Sequence, residues 1–326
     1  HAVLLNRYGE TERTMAFTHN NRKPVTRIRT FSGSEIRSTA NHPHLVMSQQ
    51  GNWVWKQTSK LEIGDHLVSR KALPLGSTQV DPDEAYLVGL IIADANTTPN
   101  RIAITNDDPD IKQFVEEKAQ AYLGVVPKAY DNNEKGSLNY HFNSKDMCGN
   151  FYARWEIEPA LAAEKVLGRK ARSLTEEGTV DLIRGYVDCE AWVDQDKRLI
   201  EVVSASHRLL EEVKLLLLHF GIVAILRPKV VAEYPENDYW RVTISGEDAR
   251  QFVRQIGTRS KRRMGEYEAI LTSSKGSPNH GSIPNLGMLL RDFYNSAETT
   301  RETNALLCDY MGPSPRALLT YARLKK

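Results

Sequence analysis

Two similar apolar stretches, separated by about a hundred residues, constrain the fold of this chain more than any other feature. The first reads Leu-Val-Gly-Leu-Ile-Ile-Ala-Asp-Ala over residues 87–95, and the second reads Ile-Arg-Gly-Tyr-Val-Asp-Cys-Glu-Ala over residues 183–191. In both, a glycine precedes the acidic residue, Asp94 or Glu190, by five positions. Apolar runs of this kind are typical of buried helices. The pattern therefore predicts a duplicated half-domain with two equivalent helices and a symmetric pair of carboxylates.

The residues that flank the two stretches also repeat. A capping residue precedes each predicted helix, Asp81 in the first copy and Ser173 in the second. Strand-like residues and a second capped helix follow each acid, and that helix is predicted to end at Gly124 and at Gly221. Each half is therefore predicted to run helix, two strands, helix, two strands, helix, which is an α+β plan with antiparallel sheets.

Composition excludes several classes of protein. The chain has 326 residues, of which 40% are hydrophobic and 26% charged, and its net charge is +2, so any nucleic-acid-binding surface must be local. Three scattered cysteines without a paired motif argue against a disulfide framework or a zinc site. The sequence contains no apolar run of roughly 18 residues, and its first residues do not predict a signal peptide. We expect an intracellular protein, in the cytoplasm or nucleoid, with no membrane segment.

The two ends of the chain differ from its middle. Residues 1–75 are predicted to form a small β domain, because residues 25–31 alternate and a Ser-Gly turn follows. The chain begins with His1 rather than methionine, which indicates a trimmed sequence or a segment excised from a longer polypeptide. Residues 276–326 contain proline turns and are predicted to form a helical extension. Packing of this extension against the second half is favoured over a separate DNA-binding helix-turn-helix.

The duplicated stretches resemble the LAGLIDADG homing endonucleases. The acids and the first glycines fall on the positions of that family's motif, whereas alanine replaces the final glycine in both copies; the matching residues are Gly89, Asp94 and Ala95, and Gly185, Glu190 and Ala191. The resemblance implies a pseudo-two-fold fold of two αββαββα repeats over residues 79–275, with halves at 79–165 and 170–275. It also implies a monomeric enzyme that cuts both strands of a long asymmetric site in double-stranded DNA.

The paired acids point to metal-dependent chemistry. Two helices that cross through small residues would bring Asp94 and Glu190 together, and close carboxylates repel each other unless a cation lies between them. Such oxygen ligands favour Mg²⁺, or Mn²⁺ in its place. Metal ions held there can support hydrolysis of phosphodiesters. The alternative is a buried helix whose acid only reaches solvent, which explains either copy alone better than both copies together.

Basic side chains are expected beside the acids to neutralise the phosphate. The resemblance implies one lysine or a substitute from each half. Lys170 fits the first position, and Lys261 is preferred for the second, where Arg262 and Arg263 compete with it. The alternative for both lysines is surface charge that contacts phosphates.

Strands of the two predicted sheets would read the DNA in its major groove. The residues predicted to contact bases or phosphates are Arg101, Tyr140, Lys197, Arg198, Arg241, Thr243, Arg262 and Arg263. This set depends on strand register, because a slip of one residue exchanges the two faces of a strand. The alternative is a solvated surface.

Residues 33–46 resemble the splicing (Hint) domain of inteins, and residues 53–68 resemble the strand pair that follows in that domain. The resemblance implies that His42 donates a proton to the scissile amide and that Thr39 positions it. Metal binding by His42 and His44 is the weaker alternative, because no third ligand is evident. Splicing also needs a first-residue nucleophile and a final asparagine, whereas this chain begins with His1 and ends with Lys326. We therefore expect that the chain does not splice by itself.

The leading hypothesis from sequence is an intein-embedded LAGLIDADG endonuclease behind a partial splicing domain, with flanking host protein, the exteins, as a further partner. Two alternatives remain. One is a DNA-binding intein insert that has lost cleavage, because glycines of the motif are replaced and a glutamate stands at Glu190. The other is an intron maturase that binds RNA on the same scaffold.

Overall fold

The computed structural model describes residues 3–5, 11–13, 21–48, 52–69, 72–131, 136–232 and 234–272. These residues fall into two compact units. One unit contains the described residues up to 29 together with 35–68, and the other contains 30–34 and the described residues from 69 onward. No helix in this part of the chain has the length and apolar character needed to cross a membrane. The predicted extension at 276–326 lies outside the described residues.

The smaller unit is built from short antiparallel strands. Its strands are β1 (Val3–Leu5), β2 (Thr11–Arg13), β3 (Val25–Arg29), β4 (Glu35–Thr39), β5 (Pro43–Met47), β6 (Trp53–Gln57) and β7 (His66–Leu67). Strand β1 pairs with β2, β3 pairs with β4, and β5 lies between β6 and β7. The predicted β structure is therefore confirmed for these residues, while their assignment to a splicing domain stays a prediction.

The larger unit contains the predicted repeat. The first half consists of α1 (Pro82–Ala93), β8 (Asn96–Thr98), β9 (Arg101–Asn106), α2 (Pro109–Leu123), β10 (Lys128–Asp131), β11 (Leu138–Asn143) and α3 (Lys145–Trp155). The second half consists of α4 (Glu176–Glu190), β12 (Ala191–Asp194), β13 (Leu199–Ser204), α5 (His207–His219), β14 (Ile225–Lys229), β15 (Tyr239–Ser245) and α6 (Glu247–Gln255), and α7 (Lys261–Thr272) follows. The predicted element order is confirmed in both halves.

The two four-stranded sheets have the same topology. Their strand orders are β8-β9-β11-β10 and β12-β13-β15-β14, and the strand pairs are antiparallel. Each strand therefore has its counterpart at the same place in the other sheet. The equivalence of the halves extends from the two sequence stretches to the whole hydrogen-bonding pattern.

Helix starts follow capping chemistry in most cases. The Asp81 side chain accepts hydrogen bonds from the backbone N–H groups of Asp83 and Glu84, which satisfies donors at the start of α1. The predicted cap at Ser173 is wrong. Ser173 ends a short 3-10 turn, and α4 is capped by Thr175, whose side chain makes no capping hydrogen bond.

Helices α1 and α4 cross in direct backbone contact at their glycines. A methyl group on Gly185 would lie 2.1 Å from the carbonyl oxygen of Tyr86, and one on Gly89 would lie 2.3 Å from that of Leu182. No side chain larger than hydrogen fits at either position without moving a helix. The small residues of the repeat therefore bring the C-terminal ends of both helices, and their acids, to the same place.

Each sheet is covered by helices on one face. In the first sheet, Ile102 and Ile104 of β9 and Tyr140 and Phe142 of β11 are fully buried on the covered face. In the second sheet, Ile200, Val202, Val242 and Ile244 occupy the equivalent positions. The opposite face, called the open face below, carries most of the polar strand residues, among them Arg101 and His141 in the first sheet and Glu201, Arg241 and Thr243 in the second.

Candidate active site

The two acids of the repeat meet at the end of the α1–α4 crossing. Asp94 is the C-cap of α1, and Glu190 is the last residue of α4. The potential ligand atoms of Asp94, Cys189 and Glu190 all lie within 4.8 Å of one another. Among the described residues this is the one group of three or more such side chains with that geometry. The structure therefore brings together the two acids that the sequence singled out, and it adds a thiol beside them.

The electrostatics of this group favour a bound cation. Burial and the neighbouring Asp94 carboxylate raise the pKa of Glu190 to about 7. Partial desolvation also raises the pKa of Asp94, whose side chain still reaches solvent. Two helix C-termini add their partial negative charge at the same point. Carboxylate oxygens suit Mg²⁺ or Mn²⁺, and burial raises the pKa of the Cys189 thiol, so at neutral pH it is a weak, protonated neighbour.

Lys165 provides the positive charge that lies beside the acids. It belongs to the segment between the two halves, and its Nζ donates a hydrogen bond to the carbonyl oxygen of Ala93 at 3.1 Å. Burial lowers the pKa of Lys165, and the charges of Asp94 and Glu190 oppose that shift. The ammonium group is thus held against the last turn of α1, next to both carboxylates.

The prediction that Lys170 takes this position is corrected. The Lys170 ammonium lies 4.7 Å from the centre of the Trp155 ring, and Trp155 in turn donates a hydrogen bond to Glu84 at 3.0 Å. Glu84 is in the first turn of α1, roughly 15 Å from Asp94 along a helix that rises about 1.5 Å per residue. Lys170 is therefore at the opposite end of the helix. Both lysines lie in the same segment, and no sequence signal separates them.

The preferred lysine of the second half is also placed elsewhere. The Lys261 ammonium forms an ion pair with Asp110 at 3.1 Å, and its side chain is 80% exposed. Arg263, which competed with it, is buried, donates from Nε to the carbonyl oxygen of Asp188 at 3.2 Å, and lowers the pKa of Glu190 through its charge. Arg262 forms an ion pair with Asp108 at 3.6 Å. Arg263 is therefore the basic side chain that the second half offers to the site.

A buried polar network that sequence analysis missed supports the helix crossing. Asp188 is 1% exposed and accepts hydrogen bonds from the Tyr86 hydroxyl at 2.9 Å, from the Arg259 backbone N–H at 2.9 Å, and from the Thr258 hydroxyl. The Arg259 guanidinium also pairs with Asp83 and Asp181. The network ties α1, α4 and the start of α7 together. A sequence signal did exist, because Asp188 stands at the position where the first copy of the repeat has Ile92.

The residues predicted to contact DNA divide between the two sheet faces. Arg101, Arg241 and Thr243 lie on the open face, because they alternate along their strands with residues that are buried on the covered face. Arg241 donates to Glu201 at 3.2 Å, and Lys229 donates to the same carboxylate at 2.6 Å. The assignment of Tyr140 is wrong, because its side chain is buried on the covered face and its hydroxyl donates to Glu116 at 2.7 Å. Asn139 and His141 are the neighbours that face outward.

Lys197 and Arg198 lie in a turn rather than in a strand. They precede β13, and Lys197 is exposed and pairs with Asp194 at 2.9 Å. Arg198 has a left-handed backbone with φ of 49° and is largely buried, and its Nε and Nη1 have no hydrogen-bond partner within the described residues. The assignment of Arg198 to an exposed strand face is therefore corrected, whereas a contact of Lys197 with DNA stays a prediction.

The two residues predicted to act in splicing lie at the β4–β5 turn. The Thr39 hydroxyl donates to the side chain of Asn41 at 2.9 Å, and His42 is exposed. The neighbouring His44 is buried, and its Nε2 lies 3.0 Å from the hydroxyls of Ser38 and Thr58. Their roles in splicing stay predictions.

A LAGLIDADG-like domain is recognised in this chain by its family model, which matches residues 178–257. That range covers the second half from α4 to the end of α6. The matched residues include Glu190 and most of the second repeat.

The chain is also similar to segments of larger curated proteins. It is 28% identical over 267 residues to the replication factor C small subunit of Thermococcus kodakarensis, covering 79% of this chain and 29% of that protein. It is 26% identical to the replicative DNA helicase DnaB of Rhodothermus marinus, covering 80% and 29%. It is 28% identical to the glutamine–fructose-6-phosphate aminotransferase of Methanocaldococcus jannaschii, covering 65% and 20%. The chain spans less than a third of the length of each of these relatives.

Solved structures that are partly similar to this one include an endonuclease complex and a full-length WhiA. A crystal structure of I-DmoI in complex with DNA and Mn matches with a TM-score of 0.41 and 20% identity, covering 54% of this chain and 96% of that chain. Full-length WhiA from Thermatoga maritima matches with a TM-score of 0.42 and 14% identity, covering 72% and 76%.

Proposed function

We propose that this chain is a site-specific DNA endonuclease of the LAGLIDADG type, which hydrolyses both strands of a double-stranded target with Mg²⁺ or Mn²⁺ and is carried within an intein. The observation that carries the proposal is the convergence of Asp94 and Glu190. They come from equivalent positions of two equivalent helices, their oxygens lie within 4.8 Å, and the Lys165 ammonium lies beside them. A structural helix end would not need two acids and a half-buried lysine at one point.

The residues present fit a divalent cation. Asp94 and Glu190 would hold it, because mutual repulsion and burial raise the pKa of Glu190 and a cation removes that cost. When bound, the metal ion would act as a Lewis acid toward the phosphate and lower the pKa of a water nucleophile. Lys165 and Arg263 would stabilise the negative charge that develops on the phosphate. The protein's own donors thus supply two cationic side chains beside the acids.

The DNA would lie against the open faces of the two sheets. Strands β8 and β12 begin directly after the acids, so both sheets extend outward from the catalytic group in an equivalent way. Two such surfaces, related by pseudo-two-fold symmetry, match the two strands of a duplex on either side of the cleavage point. Arg101, Arg241 and Thr243 are the predicted contacts that remain on this face. A single chain supplies both halves, which supports action as a monomer.

The carrier is inferred from the variety of the relatives. One stretch of this chain is shared with a replication factor, a replicative helicase and an aminotransferase, and it makes up only part of each. A segment common to proteins of such different names is expected of an inserted element rather than of their own domains. Within such an insert, the β4–β5 turn would carry the splicing roles of Thr39 and His42, and flanking host segments would be the exteins.

A second function, DNA binding without cleavage, is favoured by one observation. The second half has no lysine equivalent to Lys165 among the described residues near the acids, and the Arg263 Nε is engaged by a backbone carbonyl. An arginine does not release its proton at neutral pH. If cleavage requires one lysine from each half, the protein would bind its DNA site and leave it intact.

The test uses the purified chain, Mg²⁺ and a duplex library of random sequence, from which cut ends are captured and sequenced. We expect cuts at one long sequence, abolished by EDTA and by Asp94→Asn and Glu190→Gln, variants that keep their melting temperature. Recovery of a bound sequence with no cut ends would reject cleavage in favour of the second function. Neither binding nor cutting would reject both. Excision from a host polypeptide, assayed after adding the flanking segments, tests the intein part separately.

A further inference from the structure

The segment that joins the two halves, residues 156–175, delivers Lys165 to the acids. It lies between α3 and α4 and contains only short 3-10 turns. A lysine on irregular backbone has four rotatable side-chain bonds and no helix to orient it, so its position depends on what holds the segment. The contacts of this segment on either side of Lys165 therefore determine where the lysine side chain can lie.

Ser206 holds the backbone of Lys165 itself. Its hydroxyl donates to the carbonyl oxygen of Lys165 at 2.7 Å and accepts from the backbone N–H of Leu209 at 3.1 Å. Ser206 is 1% exposed and is the N-cap of α5. One hydroxyl thus caps a helix with its lone pair and fixes the segment with its proton.

Glu212 holds the same segment two residues further on. Its Oε2 accepts from the backbone N–H of Leu167 at 2.6 Å, and the side chain is buried. Its other oxygen lies 3.6 Å from the guanidinium groups of Arg172 and Arg208. A buried carboxylate at the middle of a helix is costly unless it is paired and hydrogen-bonded. Here the two arginines and one N–H meet that need.

Lys165 is consequently held from both halves of the molecule. Helix α5 of the second half holds its backbone through Ser206, and the last turn of α1 of the first half accepts the hydrogen bond of its Nζ. The segment is also fixed upstream, where the Thr97 hydroxyl exchanges hydrogen bonds with the backbone of Ala160. The position of the ammonium relative to Asp94 and Glu190 is set by these anchors together.

We propose that Ser206 and Glu212 are positioning residues for the cleavage reaction, which act by holding Lys165 against the paired acids. The inference rests on the proposed endonuclease function, since it concerns the rate of that reaction. Residues that orient a reacting group through hydrogen bonds typically change activity by about 10-fold to 100-fold when removed. Neither residue contacts the acids, so the effect appears in the rate of cutting rather than in DNA affinity.

The first experiment compares Ser206→Ala with Ser144→Ala. Ser144 is the N-cap of α3 and accepts from the N–H of Met147 at 3.2 Å, but none of its hydrogen bonds reaches the segment that carries Lys165. Both variants lose one helix cap, worth about 1 kcal/mol of stability. At saturating DNA and a temperature where both are folded, Ser206→Ala is expected to slow single-turnover cleavage at least about tenfold. Ser144→Ala is expected to cut at the wild-type rate. Equal rates for the two variants would overturn the proposal.

A double-mutant cycle separates positioning from a general structural effect. In a Lys165→Met background, Ser206→Ala has nothing left to position, so its additional effect on cleavage is expected to vanish. Fully additive losses would show that Ser206 acts without Lys165, against the inference. If the wild type cuts and Lys165→Met cuts as fast, the role of Lys165 is refuted and that of Ser206 falls with it.

Glu212 has a conservative partner variant. Glu212→Gln keeps one oxygen acceptor for Leu167 but replaces the oxygen that faces Arg172 and Arg208 with an amide group, whereas Glu212→Ala removes both oxygens. We expect the glutamine variant to cut within about threefold of wild type and the alanine variant to be slowed at least about tenfold. Hydrogen exchange of the Leu167 amide, faster in Glu212→Ala, is read without DNA. An unchanged exchange rate in Glu212→Ala would refute the anchoring of the segment by Glu212. If exchange is faster in this variant but the wild type does not cut DNA, the anchoring stands and the endonuclease function is refuted.

Discussion

The direct contact between α1 and α4 leads to a prediction about Gly185. An alanine there would place its Cβ 2.1 Å from the carbonyl oxygen of Tyr86, where ordinary contact begins at 3.4 Å. The two helices would have to separate by about 1.3 Å along that line. The obstacle is the backbone of the buried middle of α1, which no change of side-chain rotamer can remove.

The expected loss of stability follows from two opposing terms. Overpacking of a core typically costs about 1–3 kcal/mol, and an obstacle formed by backbone belongs at the upper end. Alanine is better than glycine in a helix by about 1 kcal/mol, which offsets part of that cost. The net destabilisation is about 2 kcal/mol. For a unit of this size it corresponds to a melting temperature about 4–8 °C lower.

The matched control is Gly149→Ala in α3. Gly149 is exposed and has no atom within 4 Å of the position of an added Cβ. Only the helix-propensity gain applies there, so stability is expected to rise by up to about 1 kcal/mol. Thermal and urea unfolding of both variants measure the difference. If Gly185→Ala is as stable as wild type while Gly149→Ala behaves as expected, the close helix crossing is refuted.

Three further predictions concern single side chains. Lys165→Met is expected to reduce DNA cleavage at least about 100-fold, whereas Lys170→Met changes it less than about threefold; the reverse result in a cleavage assay would restore the prediction made from sequence. Asp188→Asn replaces an acceptor of three hydrogen bonds by a group with one acceptor and two donors, so urea unfolding is expected to show a loss of about 1–3 kcal/mol, and an unchanged midpoint would contradict the network. Burial lowers the pKa of Lys214 to about 8, so above that pH the unfolded chain binds more protons and stability rises with pH. In Lys214→Met, the free energy of unfolding measured in urea should rise less between pH 8 and 10 than in the wild type. An equal dependence of that free energy on pH in the two proteins would contradict this.

The acids and the fold around them were predictable because they lie on periodic elements. The prediction from one half can be checked against the other, since the two halves carry the same pattern with different residues. Glycines at equivalent positions are explained by the crossing of two helices in close contact. That crossing determines where Asp94 and Glu190 must meet. The order of strands then follows from antiparallel neighbours in each half. The cap of α4 was misplaced, because Thr175 and Ser173 are both suitable residues two positions apart.

The cations and the DNA-facing side chains were less predictable for two different physical reasons. In a strand, Tyr140 differs from His141 by one step of a period of two, and sequence does not supply the register that decides between the faces. Lys165 and Lys170 lie on irregular backbone, where no period exists at all. Their positions are decided by contacts with Ser206 and Trp155, which are distant along the chain. A site assembled from helices and a joining segment therefore reveals its acids through local pattern, while the identity of its lysine depends on tertiary contacts.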